Sequence, residues 1–329
     1  MLASGGPKYA PKTHAESGCY VEATASGKAI LLGEHAVLYG CEALAIPLHT
    51  VQMRVTAQRL GEHTQNQETG NSSRFYLGAS QLPEHAAGVI DDGFAALGIP
   101  KYPVHIQGNS DIKVGSGLGS SATLSVITLK ALNQLSGNSE LKAEQLATLG
   151  RQLENRFHGN SSGLDPSVVA YNQPLLYSIT EGPQPIEVCM PPKGGWHFAL
   201  IDSQVRSSTY SMVLQARPFF TTAADGAQRL EKFKAVVRQG FEALTHGNVS
   251  LLAEAFHKNL TLLTEVGVVS EALHHLVHQA NQLGCLASKV TGAGGGGFVI
   301  ALLPPENPEQ VLQKLQEHFK KHQVIHVSV

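Results

Sequence analysis

Excess basic charge, cysteines at metal-binding spacing and long apolar runs are all missing from this chain. Lys and Arg number 24 against 26 Asp and Glu, a formal net charge of −2. That balance leaves no cationic field to hold nucleic acid and no basic amphipathic stretch to lie on a membrane. The four cysteines, Cys19, Cys41, Cys189 and Cys285, stand far apart and form no metal-ligand spacing, which fits a reduced, cytoplasmic protein. No apolar stretch approaches the roughly 20 residues of a membrane span. The first twenty residues carry Lys8, Lys12, His14 and Glu16 and no apolar segment, so they read as a flexible tail and not as a secretory signal. The Gly-Lys-Ser/Thr ending of a Walker loop is absent too, which excludes an ordinary P-loop NTPase.

The chain has 329 residues, 42% of them apolar, enough for two domains. Val21 to Ala25 and Ala29 to Leu32 read as short strands, and Val51, Met53, Val55 and Ala57 alternate with polar residues as a half-buried strand does. Residues 58–80 are polar and aperiodic, predicting a long loop or flap. Helices are predicted over about 86–97, over a stripe of Leu124, Ile127, Ala131, Leu132 and Leu135 stopped by Gly137, and over about 143–157. Pro183, Pro185, Pro191 and Pro192 punctuate residues 181–195, where the domain boundary is expected. The expected division is a tail at 1–20, one domain at 21–185 and a second at 186–329. Beyond the boundary, a strand at 196–202 precedes helices near 222–245, 249–265 and 270–283. Strands at 285–290 and 298–303, a helix at 308–320 and a strand at 323–329 complete the chain. Helices and strands mix without strict alternation, which predicts an α+β fold.

The stretch Val114-Gly115-Ser116-Gly117-Leu118-Gly119-Ser120-Ser121-Ala122 places three glycines and then two serines ahead of an apolar helical run. Glycines let backbone N–H groups approach an anion, and a helix starting there adds the positive end of its dipole. Ser120 and Ser121 suit either helix capping or a phosphate or Mg²⁺ ligand. A second run, Gly292-Ala293-Gly294-Gly295-Gly296-Gly297, matches GxGxxG formally but leads into Phe298-Val299-Ile300-Ala301-Leu302, which reads as a strand. It is therefore no dinucleotide fingerprint; close approach to a ligand or to another loop explains so many glycines better than a hairpin does. Glu154 sits near a helix C-terminus, where the dipole disfavours an acid, so a cation partner is expected. Asp165 is expected in a glycine-flanked loop, within reach of a substrate. Lys28, taken alone, reads as a strand-edge lysine with its ammonium in water. His274 and His278 are four apart on a helix, but no glutamate completes a zinc motif, and a solvated face is the plain reading.

Together these segments resemble the GHMP kinase superfamily, the group of galactokinase, homoserine kinase, mevalonate kinase and phosphomevalonate kinase. Three blocks carry the resemblance in order: Gly27 to Gly40, Gly117 to Ala122, and Lys289 to Gly297. The first block, with Ala36-Val37 after Gly33-Glu34-His35, is most similar to the mevalonate kinase branch, as is the stretch from Glu154 through His158-Gly159-Asn160 to Asp165. The resemblance implies a two-domain fold with an active site in the interdomain cleft. It implies ATP and Mg²⁺ as cofactors and phosphorylation of the primary alcohol of mevalonate, with another small-molecule kinase of the superfamily (sugar, homoserine or phosphomevalonate acceptor), a decarboxylase of the superfamily, or a catalytically silent metabolite-binding regulator as alternatives. Gly117, Leu118, Gly119, Ser120 and Ser121 would wrap the phosphates, and Ser121 and Glu154 would hold Mg²⁺. Asp165 would meet the acceptor hydroxyl as base or as orienting group, with Lys28 beside it. Glu34, His35, Thr209, Gly292, Ala293 and Gly294 would shape the acceptor pocket, the last three also buttressing the phosphate loop. The partner implied is a small molecule; a homodimer is compatible with the sequence. Two departures stand out. Ser161 occupies the position of the proline usual in the His-Gly-Asn-Pro-Ser-Gly turn. Ser207 and Tyr210 replace an Arg and a Lys of a Val-Pro-Arg-Ser-Thr-Lys stretch, so two positive charges are lost unless Arg206 substitutes for one.

Overall fold

The computed structural model describes residues 20–60, 73–159, 161–221 and 225–329. The expected tail, apart from Tyr20, lies outside them, as does most of the predicted 58–80 loop.

The larger sheet comprises β1 (Tyr20–Leu32), β2 (Ala43–Arg59), β3 (Arg74–Leu77), β4 (Ser80–Gln81), β5 (Val104–Ser110), β6 (Leu175–Ser178) and β7 (Gly182–Pro185). Its order is β4-β3-β5-β2-β6-β7, with β1 lying along β2. The period-two reading of β2 holds: Val51, Met53, Val55 and Ala57 are buried while Arg54 and Thr56 face out. The two short strands expected at the start are one continuous β1. They look separate because the register slips between Ser26, opposite Gln52, and Gly27, opposite Leu48. Gly27 permits the slip: a Cβ there would sit 3.0 Å from the Leu118 carbonyl oxygen. The region 58–80 is not all loop, since β3 falls within it and pairs in parallel with β5.

On this sheet lie α1 (Glu84–Ala87), α2 (Val89–Leu97), α3 (Ser120–Leu135), α4 (Ala143–His158) and α5 (Leu164–Tyr171). Gly98 ends α2 in the left-handed conformation, φ 65°. α3 packs on β1 and β2, and α4 packs on α3 and α5. Burial of α3 is wider than the stripe read from the sequence; Ala122 to Leu129 are all buried. A hydrophobic core of Val55, Phe75, Phe94, Ile127 and Leu153 closes this layer.

The smaller sheet is antiparallel, ordered β11-β8-β10-β9, from β8 (His197–Asp202), β9 (Ala287–Thr291), β10 (Phe298–Leu302) and β11 (Val324–Ser328). Its helices are α6 (Thr209–Thr221), α7 (Gly226–His246), α8 (Val249–Val266), α9 (Glu271–Gln282) and α10 (Pro308–His318). All but α6 were expected. The largest core cluster joins Leu31, Leu32, Leu44 and Ile46 of β1 and β2 to Phe198, Phe256 and Phe298 of this second layer. The end of β1 is thus buried between the two layers, and it carries the first of the three sequence blocks there. No helix among the described residues is long and apolar enough to cross a membrane.

Candidate active site

The site begins at the register slip in β1. Lys28, just past it, donates its backbone N–H to Leu118 O at 3.0 Å, stitching β1 to the glycine loop. The side chain runs beneath that loop: a Cβ on Gly119 would stand 2.9 Å from Lys28 Cγ. Lys28 is only 2% exposed, so the solvated strand-edge reading is wrong. Its ammonium meets Asp165 Oδ2 at 2.9 Å, where the Asp165 side chain keeps 28% exposure. Asp165 does not lie in a loop, as expected; it sits in the first turn of α5, after Gly163 at φ 89°. The glycine-rich turn ends at Gly163, one residue before the helix begins, and Pro166 is tolerated there because proline fits a helix's first turn.

Ser120 opens α3, and neither it nor Ser121 caps the helix through its side chain: the cap position is Gly119, with φ 81°. Ser121 faces sideways instead. Its hydroxyl donates to Glu154 Oε1 at 3.3 Å and lies 3.0 Å from His158 Nε2. Glu154 is fully enclosed, 2% exposed, and its other oxygen accepts from the Ser161 hydroxyl. Burial, and then the Asp165 charge, push the Glu154 carboxyl up to about 8. Burial holds His158 below the ordinary imidazole value. The sequence marks His158 through the turn and the resemblance alone; its place at the end of α4, one turn past Glu154, is what sets it beside Ser121.

The second glycine run is the hairpin between β9 and β10, pressed against the first. A Cβ on Gly292 would meet Gly117 O at 3.2 Å, and one on Gly297 would meet Ser116 O at 2.6 Å. Gly292 and Gly297 serve the approach of the two loops, while a Cβ on Gly294 would meet the Val268 carbonyl and one on Gly296 the Val205 carbonyl. Thr291 pins it to β1 by paired bonds, accepting from Ile30 N at 3.0 Å and donating to Ile30 O at 2.9 Å.

Glu34 and His35 follow β1. Glu34 is 1% exposed and wholly engaged: Lys289 donates to Oε1 and Asn259 Nδ2 donates to Oε2 at 2.8 Å. Lys289 is itself fully buried, and burial depresses its ammonium against the pull of Glu34. His35 adopts φ 58°, unusual for a non-glycine residue, and its Nε2 donates to Ala293 O at 2.8 Å. Burial lowers its pKa as well.

The Val205 to Tyr210 segment lies across both glycine loops. Ser207 donates to Gly294 O at 2.6 Å, and Arg206 Cδ lies 3.8 Å from where a Gly115 Cβ would be. The Arg206 guanidinium is already engaged. It forks onto the buried Asp202 at 2.7 and 2.8 Å, which Lys113 joins at 3.1 Å. Thr209 is the exposed first residue of α6. Lys28, Asp165, Ser121, Glu154 and both glycine loops thus converge, with Glu34 and His35 bound to the strand and loop behind them.

The chain matches the family models "GHMP kinases N terminal domain" over residues 83–173 and "GHMP kinases C terminal" over residues 240–321, together more than half its length. It is 29% identical over 287 residues to the mevalonate kinase of Archaeoglobus fulgidus, covering 87% of this chain and 94% of that one. It is 30% identical over 311 residues to the mevalonate kinase of Pyrococcus horikoshii, covering 88% and 90%. Its fold superposes on the crystal structure of the Methanococcus jannaschii mevalonate kinase with a TM-score of 0.76 at 23% identity, covering 95% of this chain and 99% of that one. On that coverage and identity, the chain belongs to the GHMP kinase family.

Proposed function

We propose that the protein transfers the γ-phosphoryl group of ATP to the primary alcohol of mevalonate, giving 5-phosphomevalonate for isoprenoid synthesis. The observation that carries this is the Lys28–Asp165 pair, 2.9 Å apart and held against the glycine loop at the one partly exposed carboxylate of the cluster. The naming of the Archaeoglobus and Pyrococcus relatives as mevalonate kinases supports the acceptor. In this reading residues 21–185 and 186–329 are the two domains, with the substrates in the cleft between them. Every residue invoked comes from one copy of the chain, so a homodimer is compatible with the chemistry and not required by it.

The donors present suit Mg²⁺. Among the described residues there is no group of three His, Cys, Asp or Glu able to hold a metal unaided. Mg²⁺ needs no such cage: it takes one or two carboxylates, and water and substrate phosphates complete its shell. The Ser121 hydroxyl and Glu154 Oε1, 3.3 Å apart, are such a hard-oxygen pair. Bound there, the ion would neutralise charge on the phosphates.

The protein's own part is positioning and electrostatics. N–H groups of Gly117 to Ser121 and the α3 N-terminus receive the phosphates. Asp165 accepts a hydrogen bond from the acceptor hydroxyl and takes its proton as that oxygen bonds to the γ-phosphorus and the bond to the ADP oxygen breaks, while Lys28 stabilises the attacking oxygen. His35, Thr209, Gly292, Ala293 and Gly294 border the acceptor, and Glu34 shapes that pocket from behind through Lys289 and Asn259. Because Arg206 is committed to Asp202, an acceptor carboxylate must find its cation elsewhere. An acceptor panel is therefore the deciding experiment: ADP release with ATP, Mg²⁺ and, in turn, mevalonate, phosphomevalonate, galactose and homoserine. Turnover with mevalonate above the others is expected; turnover with another acceptor alone overturns the assignment. Asp165→Asn should lower kcat by at least about 100-fold with nucleotide affinity unchanged.

A further inference from the structure

The His-Gly-Asn turn before Asp165 carries a serine where proline is usual, and the structure gives that serine two tasks. Its hydroxyl donates to Glu154 Oε2 and accepts from the Gly163 N–H at 3.1 Å. Ser161 is 6% exposed, so both bonds are shielded from water. Its main chain is held as firmly, the N–H donating to Asn155 Oδ1 at 2.8 Å and the carbonyl accepting from Arg151 Nε at 3.0 Å. Next along, Tyr177 donates to the Ser162 carbonyl, and a Cβ on Gly163 would collide with the Tyr177 hydroxyl at 2.6 Å. The turn is therefore braced from several sides without a proline ring. A proline at 161 would supply neither the hydroxyl nor the N–H that Asn155 accepts.

We propose that Ser161 is a positioning residue for the Glu154 carboxylate, holding Oε2 back so that Oε1 stays turned toward Ser121 and the metal. This rests on the assignment of Ser121 and Glu154 as the Mg²⁺ ligands. Carboxylates that bind metals are aimed by hydrogen bonds to their other oxygen, and losing such a partner costs about 10–100-fold in metal affinity.

The test compares Ser161→Ala, Ser161→Thr and Ser161→Pro with wild type in two measurements. One is Mn²⁺ binding in the presence of ADP, followed by electron paramagnetic resonance. The other is the Mg²⁺ dependence of ADP release at saturating mevalonate, with the acceptor KM taken alongside. Ser161→Ala and Ser161→Pro should weaken Mn²⁺ binding about tenfold or more and raise the half-activating Mg²⁺ concentration in parallel. Ser161→Thr, which keeps the hydroxyl, should stay near wild type, and the acceptor KM should move less than twofold in all three. The proposal is overturned if Ser161→Ala binds Mn²⁺ like wild type, or if it lowers thermal stability and raises the acceptor KM with metal binding intact. Wild-type protein that binds Mn²⁺ with ADP but does not turn over mevalonate refutes the acceptor assignment, and the Mn²⁺ comparison still decides the role of Ser161.

Discussion

Replacing Gly297 by alanine tests whether the two glycine loops brace each other. Gly297 has φ +80°, and a Cβ there would lie 2.6 Å from Ser116 O and 3.2 Å from Ser116 C, well inside ordinary contact, which begins at 3.4 Å. The left-handed conformation costs an L-residue ~1–2 kcal/mol. Overpacking against backbone costs a further ~1–3 kcal/mol, because a carbonyl in a hydrogen-bonded loop cannot swing aside as a side-chain tip can. Gly98 is the control. Its φ is +65° and nothing lies within 4 Å of its would-be Cβ, so Gly98→Ala suffers the conformational cost alone. Urea denaturation should therefore show Gly297→Ala less stable than Gly98→Ala by ~1–3 kcal/mol. The strain would be relieved by moving Ser116 away, and Ser116 immediately precedes the Gly117 to Ser121 loop assigned to the phosphates. Displacement there should raise the KM for ATP or lower kcat, up to ~100-fold for a shift near 1 Å. Gly98→Ala should leave the kinetics untouched. If Gly297→Ala matches Gly98→Ala in stability to within about 0.5 kcal/mol and turns over normally, the loops are merely neighbours.

Three further outcomes follow from the buried charges. Lys289→Met strands the Glu34 carboxylate in the core with only Asn259 as partner, and should destabilise by ~3–5 kcal/mol in urea, while the double variant with Glu34→Gln recovers most of that; a loss below ~1 kcal/mol would mean the pair is solvated. Burial alone would raise Asp202, but the Arg206 fork, the Gln204 N–H and Lys113 outweigh it and hold the carboxyl at about 2. Because that lies below its unfolded value, the stabilisation is present above pH 4 and lost as pH falls through 2; the advantage of wild type over Asp202→Asn should be at least ~2 kcal/mol at pH 7 and vanish near pH 2, and a pH-independent difference would refute the ion pairing. Glu154, raised to about 8, binds a proton in the folded state that the unfolded chain has released, so nucleotide-free protein should lose stability as pH rises from 4.5 to 8; Glu154→Gln should lack that slope, and identical slopes would place the carboxylate in water.

What the sequence revealed of the fold follows the range of the forces involved. Strong local periodicity located α3, α4, α7, α8, α9 and the strands of the smaller sheet, where packing agrees with pattern. The failures are where a long-range partner decides. Arg74–Leu77 is too short to show alternation and becomes a strand only through parallel pairing with β5. α6 contains Pro218, which argues against a helix locally, yet the segment is anchored by Ser207 on Gly294 and by buried Ala216 and Phe220. Val21 to Ala25 and Ala29 to Leu32 read as two strands, and they are one because the register slip between Ser26 and Gly27 does not end the pairing with β2.

The candidate site was legible in a different way. Residue types that chemistry requires stood out where composition is abnormal, as in the two glycine runs, but their contacts did not. Lys28 carries no local mark separating a buried ammonium from a solvated one; the distinction comes from Leu118 and Gly119, ninety residues on, closing over it. Arg206 shows the converse. Its charge and position invited the role of a substituted acceptor ligand, and only Asp202, at the end of a buried strand, reveals that the guanidinium is already spent. An unpaired buried carboxylate is costlier than an unfilled substrate subsite, so the fold claims the cation first. The same competition separates Glu34 from Asp165. Both are acids in matching motifs, but Glu34 is sealed by Lys289 and Asn259 while Asp165, with one lysine and partial exposure, keeps an oxygen available to an incoming hydroxyl.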